Sequence, residues 1–239
     1  MKRNQLSILL LIIASLTISG CETTQIADLG NLFGSAGLNE STVVAGLKEA
    51  LRVGTERSSG SLSESGGFSG NPLLRLALPQ ELDDLAKGMR AIGMGSQVDK
   101  LEATMNDAAE QAAGEAIPVF ASAISKMTVK DAMNILNGES DAATQYFRKA
   151  TSEDLRKRFA PVVDDAINKV GLSRNYQDVV KKYNAIPFSK PVAPDLQEHV
   201  TQKTLDGLFK TLADEEARIR ADPAARSTEL LRKVFGNRG

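Results

Sequence analysis

Residues 195–222, DLQEHVTQKTLDGLFKTLADEEARIRAD, contain the clearest helical pattern in the chain and decide its fold class. Asp195 and Glu198 have the three-residue spacing of a capping box, which predicts that the helix begins there. Its polar positions mix acidic and basic side chains, as in a helix that faces water, whereas a helix on a membrane surface favours Lys and Arg. We therefore expect its apolar stripe to form the centre of a core; the stripe comprises Val200, Leu205, Leu208, Phe209, Leu212 and Ile219.

The segments on either side of this helix repeat the spacing of apolar residues at steps of three and four. Pro118 and Pro161 fall inside two such segments and are expected to kink or split them. Residues 140–150 and 151–171 are interpreted as two separate helices, and Thr128 with Asp131 marks another helix start. No segment has the alternation and composition of a strand. The sequence predicts an all-α fold, a single bundle of about eight or nine amphipathic helices, some of them kinked at proline.

Residues 58–72, SSGSLSESGGFSGNP, interrupt the helical pattern. Their serine and glycine content predicts a mobile surface loop over residues 58–70, because these residues favour turns over helix. Phe68 stands alone among small polar neighbours and is expected to anchor the loop to the domain.

The N-terminal residues have the layout of a secretory signal peptide. A short basic start with Lys2 and Arg3 precedes the apolar run LSILLLIIASLTI, and small residues end it. The run is too short for a comfortable membrane span, which needs about 20 residues. We therefore expect the segment to direct export and to be removed.

Ile18, Ser19, Gly20 and Cys21 resemble the bacterial lipobox. The resemblance implies cleavage before Cys21, attachment of a diacylglycerol to its sulfur and acylation of the new N-terminus; the alternative is an ordinary signal peptide followed by a chance cysteine. Glu22 stands where Asp would retain a lipoprotein in the inner membrane of enteric-type bacteria, which indicates the outer membrane, facing the periplasm. The predicted organisation is a cleaved signal peptide at 1–20, a flexible lipidated tether at 21–38 and a helical domain at 39–239.

Composition excludes some partners. The chain has 29 basic and 30 acidic residues; without Lys2 and Arg3, which cleavage removes, the net charge becomes −3. A nucleic-acid-binding protein normally carries a basic face, so we expect no nucleic-acid partner. Cys21 is the only cysteine, so the chain has no internal disulfide, and no later segment approaches membrane-spanning length.

Several stretches together resemble a bacterial lipoprotein family known as domain of unknown function 4197. They are GLKEALRVGTER, LPQELDDLAKGMRAIGMG, ILNGESDAATQYFR, KYNAIPF and TLDGLFKTLADEEARIRADPAARSTELLRKVFG. The resemblance runs from Gly46 to Gly236. It implies a helical envelope protein, but it carries no activity, cofactor or catalytic residue to this chain.

The sequence offers little catalytic or metal-binding chemistry. His199 is the only histidine and has no second histidine or cysteine with which to share a metal, so we expect a surface or cap-adjacent side chain and no metal site. Neighbouring carboxylates point about 100° apart on a helix and are expected to form solvated faces; the pairs are Asp83–Asp84, Asp164–Asp165 and Glu215–Glu216. Nucleotide-binding and nucleophile-elbow fingerprints are absent, so the sequence predicts no cofactor and no catalytic residue.

Eight of the eleven Phe and Tyr residues lie after position 145. The simplest interpretation is that these rings fill the core and the hydroxyls bond to the backbone. Alternatively, polar side chains among the rings line a ligand pocket, for which the candidates are Gln145, Tyr146, Arg148, Tyr183 and Asn184. Arg220 and Arg226 also flank a proline-started segment whose helix N-terminus can receive an anion.

The sequence leaves three functions open. The first is a non-enzymatic domain, tethered to the membrane by its lipid, that binds an envelope protein or an apolar ligand. The second is an envelope enzyme whose site uses carboxylate, Tyr and Arg residues without histidine, and the third is a structural spacer. A pocket with several carboxylates of perturbed pKa would favour the enzyme, whereas an exposed apolar groove would favour binding.

Overall fold

A computed structural model describes residues 40–169, 180–181, 183–185 and 195–221 of the chain. These residues include seven α-helices and one 3-10 turn, and none of them forms a β-strand, which confirms the all-α prediction. From Ser41 onward the described helices belong to one compact unit. The helices are α1 (Glu40–Ser63), α2 (Asp83–Ala91), α3 (Gly95–Gly114), α4 (Ala116–Lys126), α5 (Val129–Asn137), α6 (Ala142–Lys169) and α7 (Leu196–Ala221), and the 3-10 turn (Gln80–Leu82) precedes α2.

Helices α3, α6 and α7 pack against one another and form the centre of the domain, with α4 against α6. The rings of Phe120 and Phe209 meet edge to face with centroids 6.4 Å apart, and Phe120 meets Phe147 in the same way at 5.0 Å. Every residue of the apolar stripe predicted in α7 is buried. The prediction that this stripe forms the centre of the core is therefore confirmed.

Two local predictions are also confirmed. The predicted break near Pro118 is present: α3 ends at Gly114 and α4 begins at Ala116, so Pro118 lies in the first turn of α4, where a missing N–H costs no helical hydrogen bond. Thr128 and Asp131 form a complete capping box: the Thr128 hydroxyl accepts from the Asp131 N–H at 3.1 Å, and the Thr128 N–H donates to the Asp131 carboxylate at 3.0 Å.

Helix α1 continues to Ser63, well into the segment for which the sequence predicts a loop. Ser58, Ser59 and Leu62 are buried in this last part of the helix, and the Ser61 hydroxyl donates to the Ser58 carbonyl at 3.1 Å. Burial and these internal hydrogen bonds outweigh the low helix propensity of serine and glycine. The predicted loop is therefore wrong for residues 58–63.

Helix α6 runs without interruption where the sequence predicts two helices. Thr151, the expected start of the second helix, instead donates its hydroxyl to the Phe147 carbonyl one turn earlier, at 2.6 Å. Pro161 lies inside the helix between Phe159 and Val163, which are both fully buried. Their packing offsets the cost of about 3 kcal/mol that an interior proline carries.

None of the described helices is long and apolar enough to cross a membrane. The predicted signal peptide, lipobox and tether, including Ile18, Ser19, Gly20 and Cys21, lie outside the described residues.

Candidate functional site

Helix α3 holds the segment after α1 through two buried polar side chains one turn apart, Asn106 and Glu110. The Glu110 Oε1 atom accepts hydrogen bonds from the N–H groups of Gly66, Phe68 and Ser69, at 3.1–3.2 Å. The Ser69 hydroxyl donates to the same oxygen at 3.0 Å. These four donors compensate the burial of the carboxylate, as a buried polar group requires.

Asn106 fixes the same segment further along, at Leu76. Its Oδ1 accepts from the Leu76 N–H and its Nδ2 donates to the Leu76 carbonyl, both at 2.9 Å. Leu76 is 2% exposed, so its backbone groups need these partners. Phe68 is fully buried, which confirms its role as an anchor, and its ring lies against Gly207 of α7. This packing disagrees with the expectation of a mobile loop over residues 58–70.

Residues 73–80 and the facing side of α7 border an open cleft of about 580 Å³, here called the α7 cleft. Its volume is within the range of about 300–1,000 Å³ that is typical of ligand sites. The first wall contains four leucines, Leu73, Leu74, Leu76 and Leu78, together with Arg75, Ala77 and Gln80. The second wall is polar and contains His199, Lys203, Asp206 and Lys210.

The lining of the α7 cleft includes three basic side chains, Arg75, Lys203 and Lys210, and one acidic side chain, Asp206. Arg75 pairs with Glu102 at 3.6 Å, and Lys210 pairs with Asp214 at 3.1 Å. Lys203 is exposed and has no ion-pair partner in the part of the chain that the structure describes. Its ammonium group is therefore available to pair with an anionic group of a ligand in the cleft.

His199 joins the two walls. Its Nε2 atom lies 3.2 Å from the carbonyl oxygen of Ala77, and because a carbonyl only accepts, Nε2 carries the proton. Burial lowers the pKa of His199; the hydrogen bond to Ala77 and the charge of Glu81 oppose this shift, and the charge of Lys203 adds to it. The ring is therefore neutral at pH 7 and acts as a hydrogen-bond donor to the segment opposite.

The turn at residues 71–74 forms the mouth of the cleft. The Asn71 side-chain oxygen accepts from the Leu73 N–H at 3.0 Å, and the Asn71 carbonyl accepts from the N–H groups of Leu74 and Arg75 at 3.0 and 2.8 Å. Leu73, at the tip, is 79% exposed, more than any other large apolar side chain of the described residues.

The candidate pocket residues of α6 do not line the α7 cleft. Gln145 is exposed, and the Arg148 guanidinium lies over the Phe209 ring, 4.5 Å from its centroid. The Tyr146 hydroxyl donates to the Ala123 carbonyl at 3.4 Å, as the simpler interpretation predicts. Burial, followed by the charge of Asp131, raises the pKa of Tyr146.

The other candidates are dispersed. Tyr183 is half-buried and Asn184 exposed, in a short described stretch that is not part of the cleft. Arg220 donates to the Glu216 carboxylate and to the Ile135 carbonyl, both at 2.9 Å. Arg226 lies outside the described residues.

The role of Glu216 was not predicted from the sequence. Its carboxylate is buried and accepts from the N–H groups of Ala143 and Thr144 at 2.9 Å and from the Thr144 hydroxyl at 2.8 Å. The expectation of a solvated face at residues 215–216 is therefore wrong for Glu216. Glu216 lies four residues after Leu212 and three before Ile219, and this spacing indicates that it shares the buried face of α7.

A second cavity, of about 30 Å³, lies between α1, α5, α6 and α7 beside Glu216. It has room for about one water molecule, and its lining is otherwise mostly apolar. Within the described ranges, no group of three or more His, Cys, Asp or Glu side chains could hold a metal ion. The α7 cleft therefore remains the candidate functional site.

Comparisons with known proteins give one finding. No curated protein and no solved structure matches the chain significantly. The model of the family described as "Protein of unknown function (DUF4197)" matches residues 37–236, which include all seven helices described above. The chain therefore belongs to the DUF4197 family of proteins of unknown function.

Proposed function

We propose that the chain is a lipid-anchored protein of the bacterial envelope whose helical domain binds an envelope component in the α7 cleft. The anchor is supported by the sequence Ile18-Ser19-Gly20-Cys21 after an apolar run, and Glu22 favours the outer membrane, facing the periplasm. Binding is supported by one observation: a cleft of about 580 Å³ presents Lys203, without an ion-pair partner among the described residues, opposite a wall of leucines.

The alternative, an enzyme that works without histidine, has less support. Glu110 and Glu216 are the buried carboxylates of the described residues, and both accept hydrogen bonds from backbone N–H groups. The α7 cleft contains one carboxylate, Asp206, which accepts from the Gln202 side chain at 2.9 Å. Hydrolysis by paired carboxylates requires two of them in one site.

Labelling with palmitate tests the anchor. The unchanged chain should incorporate labelled palmitate, and a Cys21→Ser chain should not, because serine lacks the thiol that receives the lipid. The Cys21→Ser precursor should also keep its full length. Palmitate on the Cys21→Ser chain would contradict the proposed anchor.

Native mass spectrometry of the chain, purified from its own membrane, tests the binding role. A component bound in the α7 cleft should co-purify with the unchanged chain and be reduced by Lys203→Glu, which reverses the accessible charge. Lys157→Glu is the matched control, because Lys157 is an exposed lysine of α6 that pairs only within its own helix. If the unchanged chain, Lys203→Glu and Lys157→Glu all co-purify with the same components in the same amounts, the α7 cleft is not the binding site.

A further inference from the structure

We propose that the α7 cleft and the turn at its mouth form a second membrane contact, in which the cleft binds the anionic headgroup of a phospholipid and Leu73 enters the apolar layer. This inference rests on the proposed function, because the lipid on Cys21 keeps the domain close to a membrane surface. It names the ligand class of the same cleft.

The turn presents its apolar side chain in a fixed conformation. Asn71 holds it with three hydrogen bonds, and Pro72 restricts the backbone just before the tip. Leu73 therefore projects with 79% of its surface exposed while Leu76, three residues later, is held by Asn106. A preorganised tip loses little conformational entropy when it inserts into another phase.

Three basic side chains line the same cleft as this tip. Arg75 is two residues from Leu73 and 60% of its side chain is exposed. Lys203 and Lys210 are exposed on α7, two turns apart along the same wall of the cleft. The carboxylate in the lining, Asp206, accepts from Gln202 at 2.9 Å, and no ion pair joins it to either lysine in the described structure. Arg75 and Lys210 each pair with a carboxylate, so the charge of Lys203 is the one in this lining that has no ion-pair partner among the described residues.

The combination of an apolar tip with flanking cations favours a lipid over a soluble acidic peptide. Leu73 lines the cleft but keeps 79% of its surface exposed, and an apolar layer would cover that surface whereas a polar peptide would not. Each Lys or Arg near an anionic surface strengthens binding about fivefold, which is weak for an isolated domain. A lipid anchor raises the effective concentration of the surface, so such weak contacts suffice to orient the domain.

A fluorescent label at the tip tests the proposal with the full chain. Cys21 is acylated under the proposed function, so Leu73→Cys creates the single free thiol, which is labelled with bimane. The labelled chain is reconstituted into phosphatidylcholine vesicles with and without phosphatidylglycerol. Ile92→Cys is the matched control, because Ile92 is also an exposed apolar residue, 71% exposed, and it does not line the cleft.

Bimane at residue 73 should shift to shorter wavelength, and be quenched by nitroxide-labelled lipid, only in vesicles that contain phosphatidylglycerol. Lys203→Gln and Lys210→Gln should each reduce the equilibrium constant for insertion about fivefold, with circular dichroism unchanged. A spectrum that does not depend on lipid composition, as for a site that binds a peptide or a second copy of the chain, would overturn the proposal. Bimane that labels Cys21 of the unchanged chain would instead refute the anchor, independently of the cleft.

Discussion

The ring of Phe68 lies so close to the backbone of Gly207 that a Cβ atom at residue 207 would come within 2.7 Å of the ring atom Cε1. Gly207 is in the middle of α7, where glycine costs about 1 kcal/mol relative to alanine. The contact explains why residue 207 is glycine: only a residue without a side chain lets the buried Phe68 ring pack directly against the backbone of α7.

Gly207→Ala should destabilise the domain despite its better helix propensity. Phe68 is fully buried and its N–H is held by Glu110, so the ring has little freedom to move away. Overpacking of this kind costs about 1–3 kcal/mol, and the higher helix propensity of alanine offsets up to about 1 kcal/mol of this cost. Urea unfolding measures the difference. Gly88→Ala, at an exposed position of α2 with nothing within 4 Å of the new Cβ, is the control and should be neutral or stabilising.

Glu110→Gln should lower the free energy of unfolding by about 1.5–3 kcal/mol, the range for hydrogen bonds to a charged group. The substitution keeps the side-chain volume but removes the charge that four donors share. Proteolysis within residues 64–72 should accelerate in the same variant. Glu153→Gln, at an exposed position of α6, provides the comparison. Equal stability and equal cleavage in the two variants would mean that Glu110 does not hold the segment.

Phe209→Ala should lower the free energy of unfolding by about 3–5 kcal/mol, as large-to-small changes in a core do. Phe209 is 1% exposed and contacts the Phe120 ring and the Arg148 guanidinium. The urea midpoint should fall sharply, while Thr211→Ala on the same helix should leave it nearly unchanged. A midpoint unaffected by Phe209→Ala would show that this ring is not part of the core.

His199 should make stability fall as the pH is lowered from about 7, above the ordinary His pKa of about 6.5, to about 5. Its pKa is lowered in the folded domain, chiefly by burial, so the unfolded chain binds the proton more readily. The contribution of the neutral ring is complete above the unfolded pKa of about 6.5 and is lost as the pH falls through the lower folded pKa. His199→Gln keeps a donor for the Ala77 carbonyl but cannot titrate. Its urea midpoint should therefore change less than that of the unchanged chain between these pH values; equal changes would contradict this account.

The carboxylates whose pKa is lowered titrate at lower pH, so their protonation does not contribute to the change in urea midpoint that this test measures. Burial tends to raise the pKa of Glu215, but hydrogen bonds from Arg218 and Arg57 outweigh it and lower the pKa. Hydrogen bonds from Thr128 lower the pKa of Asp131. These groups contribute stability above their ordinary pKa values of about 4, and it is lost only as the pH falls below that range.

The features that the sequence predicted correctly are local. The stripe of α7, the capping box at Thr128 and the break at Pro118 each depend on residues within a few positions of one another. Serine and glycine were misleading in α1, because the burial of Leu62 and its neighbours depends on helices far away in the chain.

The α7 cleft could not be predicted, since it depends on pairings at long range. Asn106 meets Leu76 across 30 residues, and His199 meets Ala77 across 122. The aromatic residues after position 145 suggested a ligand pocket that includes α6, but the Phe147 and Phe159 rings of this helix are buried in the core. The polar wall of the cleft instead consists of ordinary solvent-facing positions of α7, which have no distinguishing pattern.

The reach of Glu216 into the first turn of α6 has a consequence for the order of assembly. Glu216 accepts hydrogen bonds from two N–H groups that lie 72 and 73 residues earlier in the chain. All of α6 is therefore synthesised well before the carboxylate that accepts these hydrogen bonds. Until then the longest helix of the described residues lacks its N-terminal cap. A nascent or prematurely terminated chain that stops short of residue 216 should leave that end frayed and open to proteases. The N-terminal end of α6 is thus completed only by a residue near the C-terminal end of α7.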